Sequence, residues 1–169
     1  MKAVLPPSIQ GPSHSLIRFN PEPAPVSGGA NISGKKGGFM ILVGESLNVI
    51  STKIGRAFKE RDPKPIQEEA LFQKEKGMDY IDINLGPAKK DGHELMPWVV
   101  ETVQEVVPDI PLWLDTSNID AIEAGLKVCK NPAVINSIMA RPERYEKMIP
   151  IAAEHNADFV ALMWGPEGL

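Results

Sequence analysis

With 169 residues, 43% of them hydrophobic and 24% charged, the chain has the apolar content for one domain with a real core and is too short for two large ones. Its net charge of −4 argues against a general nucleic-acid binder, which needs a basic face to neutralise phosphates. A single cysteine, Cys129, excludes an internal disulfide and a thiolate metal site. No run matches a membrane span or a secretory signal, so the expectation is a cytoplasmic protein that enters no membrane.

Residues 1–38 form a leader rich in proline and glycine, from Pro6 and Pro7 through Gly37 and Gly38, and are expected to carry little regular structure. Residues 39–169 read as an α/β unit. Phe39 to Val43 is an apolar run, expected as a first strand that breaks into a polar loop at Gly44-Glu45-Ser46-Leu47-Asn48. Thr52 to Arg61 reads as a short helix. Pro65 is expected to open a second helix that runs to about Lys76, with Gly77 as its cap.

Tyr80 to Leu85 is the second strand. By the two-residue period Asp82 and Asn84 share one face, and Ile81 and Ile83 the other. Leu95, Trp98, Val99, Thr102, Val103 and Val106 then recur at helical spacing. Leu112 to Leu114 is a strand expected to stop on Asp115, with Thr116, Ser117 and Asn118 as turn and cap residues. Ile119, Ile122, Leu126 and Cys129 mark the apolar face of the next helix, which makes Cys129 a core thiol rather than a nucleophile. Ala133 to Ile135 is expected to stop on Asn136. A helix over 141–155 should be kinked or shortened by Pro150, and Ala157 to Met163 is the fifth strand.

Five strands alternate with helical segments, so the connections should wind one way. The strand ends then carry Glu45 and Asn48, Asp82 and Asn84, Asp115 with Asn118, and Asn136 with Ser137. A lone residue of this kind is a loop or cap residue. Four such sets at one end of successive parallel strands point to a shared site. Aspartate and asparagine offer paired donors and acceptors that suit a flat heterocycle with amide and amino edges. No histidine or cysteine joins them, which disfavours zinc; His14, His93 and His155 read as surface or capping residues. A phosphate-binding loop and a Ser/His/Asp order are missing.

Gly44-Glu45-x-x-Asn48, Asp82-Ile-Asn84-Leu-Gly-Pro87, Leu114-Asp115-Thr-Ser-Asn118, Ile122-Glu-Ala-Gly-Leu-Lys127-x-Cys129 and Ile135-Asn136-Ser137 resemble the pterin-binding methyltransferase family. The resemblance is greatest to its methyltetrahydrofolate:corrinoid/iron-sulfur protein methyltransferase branch; the folate domain of cobalamin-dependent methionine synthase is more distantly related. It covers the chain from about Met40 onward, and Ser46 stands where the family often has arginine. The resemblance implies a TIM (β/α)8 barrel of the dihydropteroate synthase-like type, of which the first five strands are legible here.

On the same resemblance, Asp115 and Asn136 would hold the amino-pyrimidinone edge of the pterin, with Asn48, Asp82 and Asn84 as neighbouring wall residues. The implied reaction moves the N5-methyl group of methyltetrahydrofolate, a substrate, to cobalamin or another corrinoid carried by a partner protein. That partner could be a corrinoid/iron-sulfur protein, and the family forms homodimers. In the family a further pterin-binding aspartate and the asparagine that contacts N5 lie on strands after the fifth. The chain alone is therefore expected to be inactive. Two alternatives stay open, a non-catalytic pterin-binding or assembly fragment completed by a second polypeptide, and a dihydropteroate synthase-like transferase.

Overall fold

A computed structural model describes residues 40–88, 90–165 and 168; the leader expected over 1–38 lies outside them, as does His14. Five parallel strands, β1 (Val43–Asn48), β2 (Tyr80–Gly86), β3 (Leu112–Thr116), β4 (Val134–Met139) and β5 (Asp158–Leu162), lie side by side in chain order. Helices α1 (Thr52–Glu60), α2 (Pro63–Glu75), α3 (Gly92–Val106), α4 (Ile119–Leu126) and α5 (Pro142–Glu154) connect them. When each strand lies beside its predecessor, right-handed crossovers return on one side, so all the helices cover the same face. This is the winding of a (β/α)8 barrel, and the sheet is consistent with the first five strands of one.

The helix-side face carries Leu47, Ile81, Ile83, Leu112, Leu114 and Ile135, all buried. They pack against Ile54, Phe58, Ile66, Met96, Val99, Val103, Ile122 and Met148 of the helices. Burying each such side chain contributes about 1.5–3 kcal/mol, so this layer holds the strands in register. Caps set the helix starts: Ser51 accepts from Ile54 N at 3.4 Å, Asp62 from Lys64 N at 3.1 Å, and Asn118 from Ala121 N at 3.2 Å.

Five boundaries differ from expectation. The second helix opens at Pro63, not Pro65, because Asp62 is its cap and Pro63 fits the first position, where no N–H is needed. Gly77 follows the capping residue Lys76 and takes φ +77°. The first strand does not end before Gly44: β1 begins at Val43 and runs through Glu45 and Ser46, because Leu47 pairs with Ile83 and is buried. Likewise β4 continues past Asn136 to Met139, since Ile138 returns to the core, and β3 continues through Asp115 to Thr116.

Pro150 neither kinks α5 to a stop nor shortens it. Pro150 and Glu146, whose carbonyl loses its helical donor, are both exposed to water, while Met148 and Ala152 anchor the helix in the core. Cys129 lies beyond the end of α4 and is half-buried against the core. His155 is the C-cap of α5, and His93 sits exposed in the first turn of α3, as a surface or capping reading requires.

Candidate functional site

Register decides which side chains share the face opposite the helices. Tyr80 pairs with Val43; Asp82 pairs with Trp113, and Trp113 with Val134; Asn48 pairs with Asn84, Asn84 with Asp115, and Asp115 with Asn136. In a parallel pair, partnered residues point to the same side, so these residues form layers on one face. The lower layers hold Tyr80, Trp113 and Val134, with the Tyr80 and Trp113 rings edge to face at 5.9 Å. Asn48, Asn84, Asp115 and Asn136 form the upper layer, toward the C-terminal ends of the strands.

Three register shifts fall in this polar region, between Gly44 and Leu47, Asn84 and Gly86, and Ile135 and Ile138. A bulge lets a strand carry two successive polar residues and still return its next apolar side chain to the core. It also re-aims the side chains within it.

One amide–carboxylate pair lies within the upper layer, and a second ties it to Asp82 in the layer below. Asn84 donates from Nδ2 to Asp115 Oδ2 in a short contact, while its Oδ1 accepts from Gly86 N at 2.9 Å. Asn136 donates from Nδ2 to Asp82 Oδ1 at 3.1 Å. Asp82 is only 2% exposed, and its carboxyl is pushed up to about 6. Burial is the main cause, opposed by the Asn136 hydrogen bond and reinforced by the charges of Asp115 and Glu45. The Asp115 carboxyl is raised as well, by burial and by Glu45, against the Asn84 hydrogen bond.

Of the residues singled out in the sequence, Asp82, Asn84, Asp115 and Asn136 are brought together. Asn48 shares their layer, but its Oδ1 accepts from Ile50 N at 3.0 Å and so shapes the turn after β1. Asn118 caps α4 and donates to Ala88 O at 2.7 Å, a structural role. Sequence reasoning passed over Tyr80 as a member of the face; the two-residue period through Tyr80, Asp82 and Asn84 was the available signal. Trp113 Nε1 is buried there without an acceptor among the described residues. Among these residues no cluster of histidine, cysteine, aspartate or glutamate is placed to hold a metal ion, and no helix is long and apolar enough to cross a membrane.

The chain is 31% identical over 112 residues to a methylcorrinoid:tetrahydrofolate methyltransferase of Eubacterium limosum. The match covers 66% of this chain and 41% of that relative, so the chain spans less than half of the relative's length. A family model described as pterin binding enzyme matches residues 44–168, which include all five strands apart from Val43 at the start of β1, and every polar residue of the face. The chain belongs to the pterin-binding enzyme family.

Proposed function

We propose that the face formed by β2, β3 and β4 binds the pterin of a tetrahydrofolate, and that the chain is part of a methyltransferase acting between that pterin and a corrinoid. The observation that carries this reading is the pair of hydrogen bonds Asn84–Asp115 and Asn136–Asp82, which aim a carboxylate oxygen and a carboxamide at one surface. Such a donor set fits the amino-pyrimidinone edge of a pterin, which presents N–H, amine and carbonyl groups in one plane. The E. limosum relative's name, which pairs a methylcorrinoid with tetrahydrofolate, supports the choice of chemistry.

In that role Asp115 would accept from the ring edge, with Asn84 fixing the orientation of its carboxylate. Asn136 would complete the edge, and the Tyr80–Trp113 aromatic pair would form the floor. A corrinoid, carried by a partner protein, supplies cobalt that can take or give the methyl group. The residues of this face contribute binding and orientation, which turn a two-body encounter into a placed reaction.

One observation favours a second reading, in which this chain is a pterin-binding portion completed by further βα units. Phe159, Leu162, Met163 and Trp164, in and just after the edge strand β5, are 37–71% exposed. Calorimetry distinguishes the readings and tests the ligand. Methyltetrahydrofolate binding by the full chain, weakened at least tenfold by Asp115→Ala, supports the pterin site. Preference for a pterin pyrophosphate would instead favour a dihydropteroate synthase-like transferase, and equal affinity of Asp115→Ala and the unsubstituted chain would remove Asp115 from the site. Methyl transfer to a corrinoid protein by this chain alone would exclude the portion reading.

A further inference from the structure

We propose that Asp82 is a positioning residue that selects which end of the Asn136 carboxamide faces a ligand, and that protonation of Asp82 reverses the selection. The inference rests on the pterin reading of the face only for its ligand; the selection itself concerns residues of this chain.

A carboxamide is nearly symmetric in shape but not in chemistry, presenting an acceptor at one end and a donor at the other. An ionised carboxylate can only accept. Against ionised Asp82, Asn136 must therefore turn Nδ2–H inward, as the 3.1 Å contact shows, and present Oδ1 outward. No donor among the described residues reaches that oxygen. Asn84 differs: Gly86 N holds its Oδ1 and Asp115 takes its Nδ2–H, so its carboxamide is fixed at both ends. Asn136 is held at one end, and the group that holds it can change its state.

Of the groups around Asp82, the two charged ones nearest it favour such a change and the Asn136 hydrogen bond opposes it. Glu45 stands on β1 and Asp115 on β3, and both add negative charge. Tyr80 lies on β2 itself, and Asp158, which pairs with Val134, lies on β5. The polar neighbour that β4 supplies is Asn136, and the helices pack on the opposite face of the sheet. No cation among the described residues balances this set, and burial adds to the pressure, so Asp82 takes up a proton at about pH 6. A protonated Asp82 can donate its O–H to Asn136 Oδ1. The carboxamide then turns over and presents Nδ2–H to the ligand. Above the transition Asn136 selects a ligand edge that donates, such as a ring N–H or an amine; below it, one that accepts, such as a carbonyl.

The test has two arms on the full chain. In the ligand-free protein, the Asn136 side-chain amide resonances followed by NMR from pH 5 to 8 are expected to move with a midpoint near 6, and Asp82→Asn is expected to abolish the movement. Resonances that do not titrate, or that titrate alike in Asp82→Asn, would overturn the proposal; the unsubstituted chain decides this even if the variant fails to fold. In the second arm pterin is compared with lumazine, which carries a carbonyl in place of the 2-amino group. The preference for pterin is expected to fall about tenfold between pH 7.5 and 5, and to be flat in Asp82→Asn. A flat preference in the unsubstituted chain would overturn the selection of ligand edge. If neither compound binds at any pH, the pterin reading fails while the resonances still decide the behaviour of Asp82 and Asn136.

Discussion

Asn136 on β4 donates a hydrogen bond to Asp82 on β2 at 3.1 Å, across the whole width of β3. Adjacent strands lie about 4.8 Å apart, so strands once removed are separated by nearly 10 Å, and two short side chains meet over that gap only when the face is concave. The contact therefore reports curvature of the barrel kind. The same bond spans the inward bend of the sheet and orients the Asn136 carboxamide.

The environment of Asp82 makes a prediction for stability. Its carboxyl is raised from an ordinary value of 3.8 to about 6 in the folded chain. As pH rises from about 4 to 6, the unfolded chain loses this proton first, so ionisation favours unfolding; above about 6 both states are ionised and the penalty is constant. Asp82→Asn keeps the shape and removes the penalty. The variant should gain on the order of 2–3 kcal/mol over the unsubstituted chain above pH 6, and the gain should fade toward pH 4. Urea melts of both proteins from pH 4 to 8 check the sign and the window.

Gly55 lies in α1 where an added Cβ would stand 2.2 Å from the backbone oxygen of Val49. A backbone oxygen cannot swing aside as a side chain can, so α1 would have to move off the turn after β1. Gly55→Ala should destabilise by about 1–3 kcal/mol despite the helix propensity gained, because close contact outweighs a propensity term of about 1 kcal/mol. The midpoint of a denaturant melt measures it.

Asn118 accepts from Ala121 N at 3.2 Å and donates to Ala88 O at 2.7 Å, capping α4 and tying it to the loop after β2. Asn118→Ala should cost about 1–2 kcal/mol, and Asn118→Asp, which keeps the cap and loses the donor, should cost less. A thermal melt of the two variants separates the contributions.

Burial pushes the Cys129 thiol up to about 12. At pH 8 its thiolate is then scarce, and alkylation by iodoacetamide should run at least a hundredfold slower in the folded chain than in urea. Equal rates would place Cys129 on an open surface.

The helix-side layer was legible in the sequence because burial and period agree there: Ile81 and Ile83, Leu112 and Leu114, and the helical spacing of Ile119, Ile122 and Leu126 all resolve as expected. The polar face was legible as a set of residue types at strand ends, and the motifs spanning Gly44 to Ser137 gave the family. The ends of β1 and β4 were misplaced because Glu45, Ser46, Asn136 and Ser137 read as loop residues, whereas register shifts keep them in the sheet. The pairings were not legible at all. Asn84 and Asp115 are 31 residues apart, and Asp82 and Asn136 are 54 apart. No local pattern says which amide meets which carboxylate; the register of three strands and the curvature of the sheet decide it.

Trp113 shares the polar face with Asp82, Asn84 and Asp115, so its fluorescence reads the proposal of pterin binding there directly. Titration of the full chain with methyltetrahydrofolate should quench tryptophan emission in a saturable way, and Asp115→Ala together with Asn136→Ala should remove the saturation. Saturable quenching that is unchanged in the doubly substituted protein, or none at any methyltetrahydrofolate concentration, would contradict a pterin site on β2, β3 and β4.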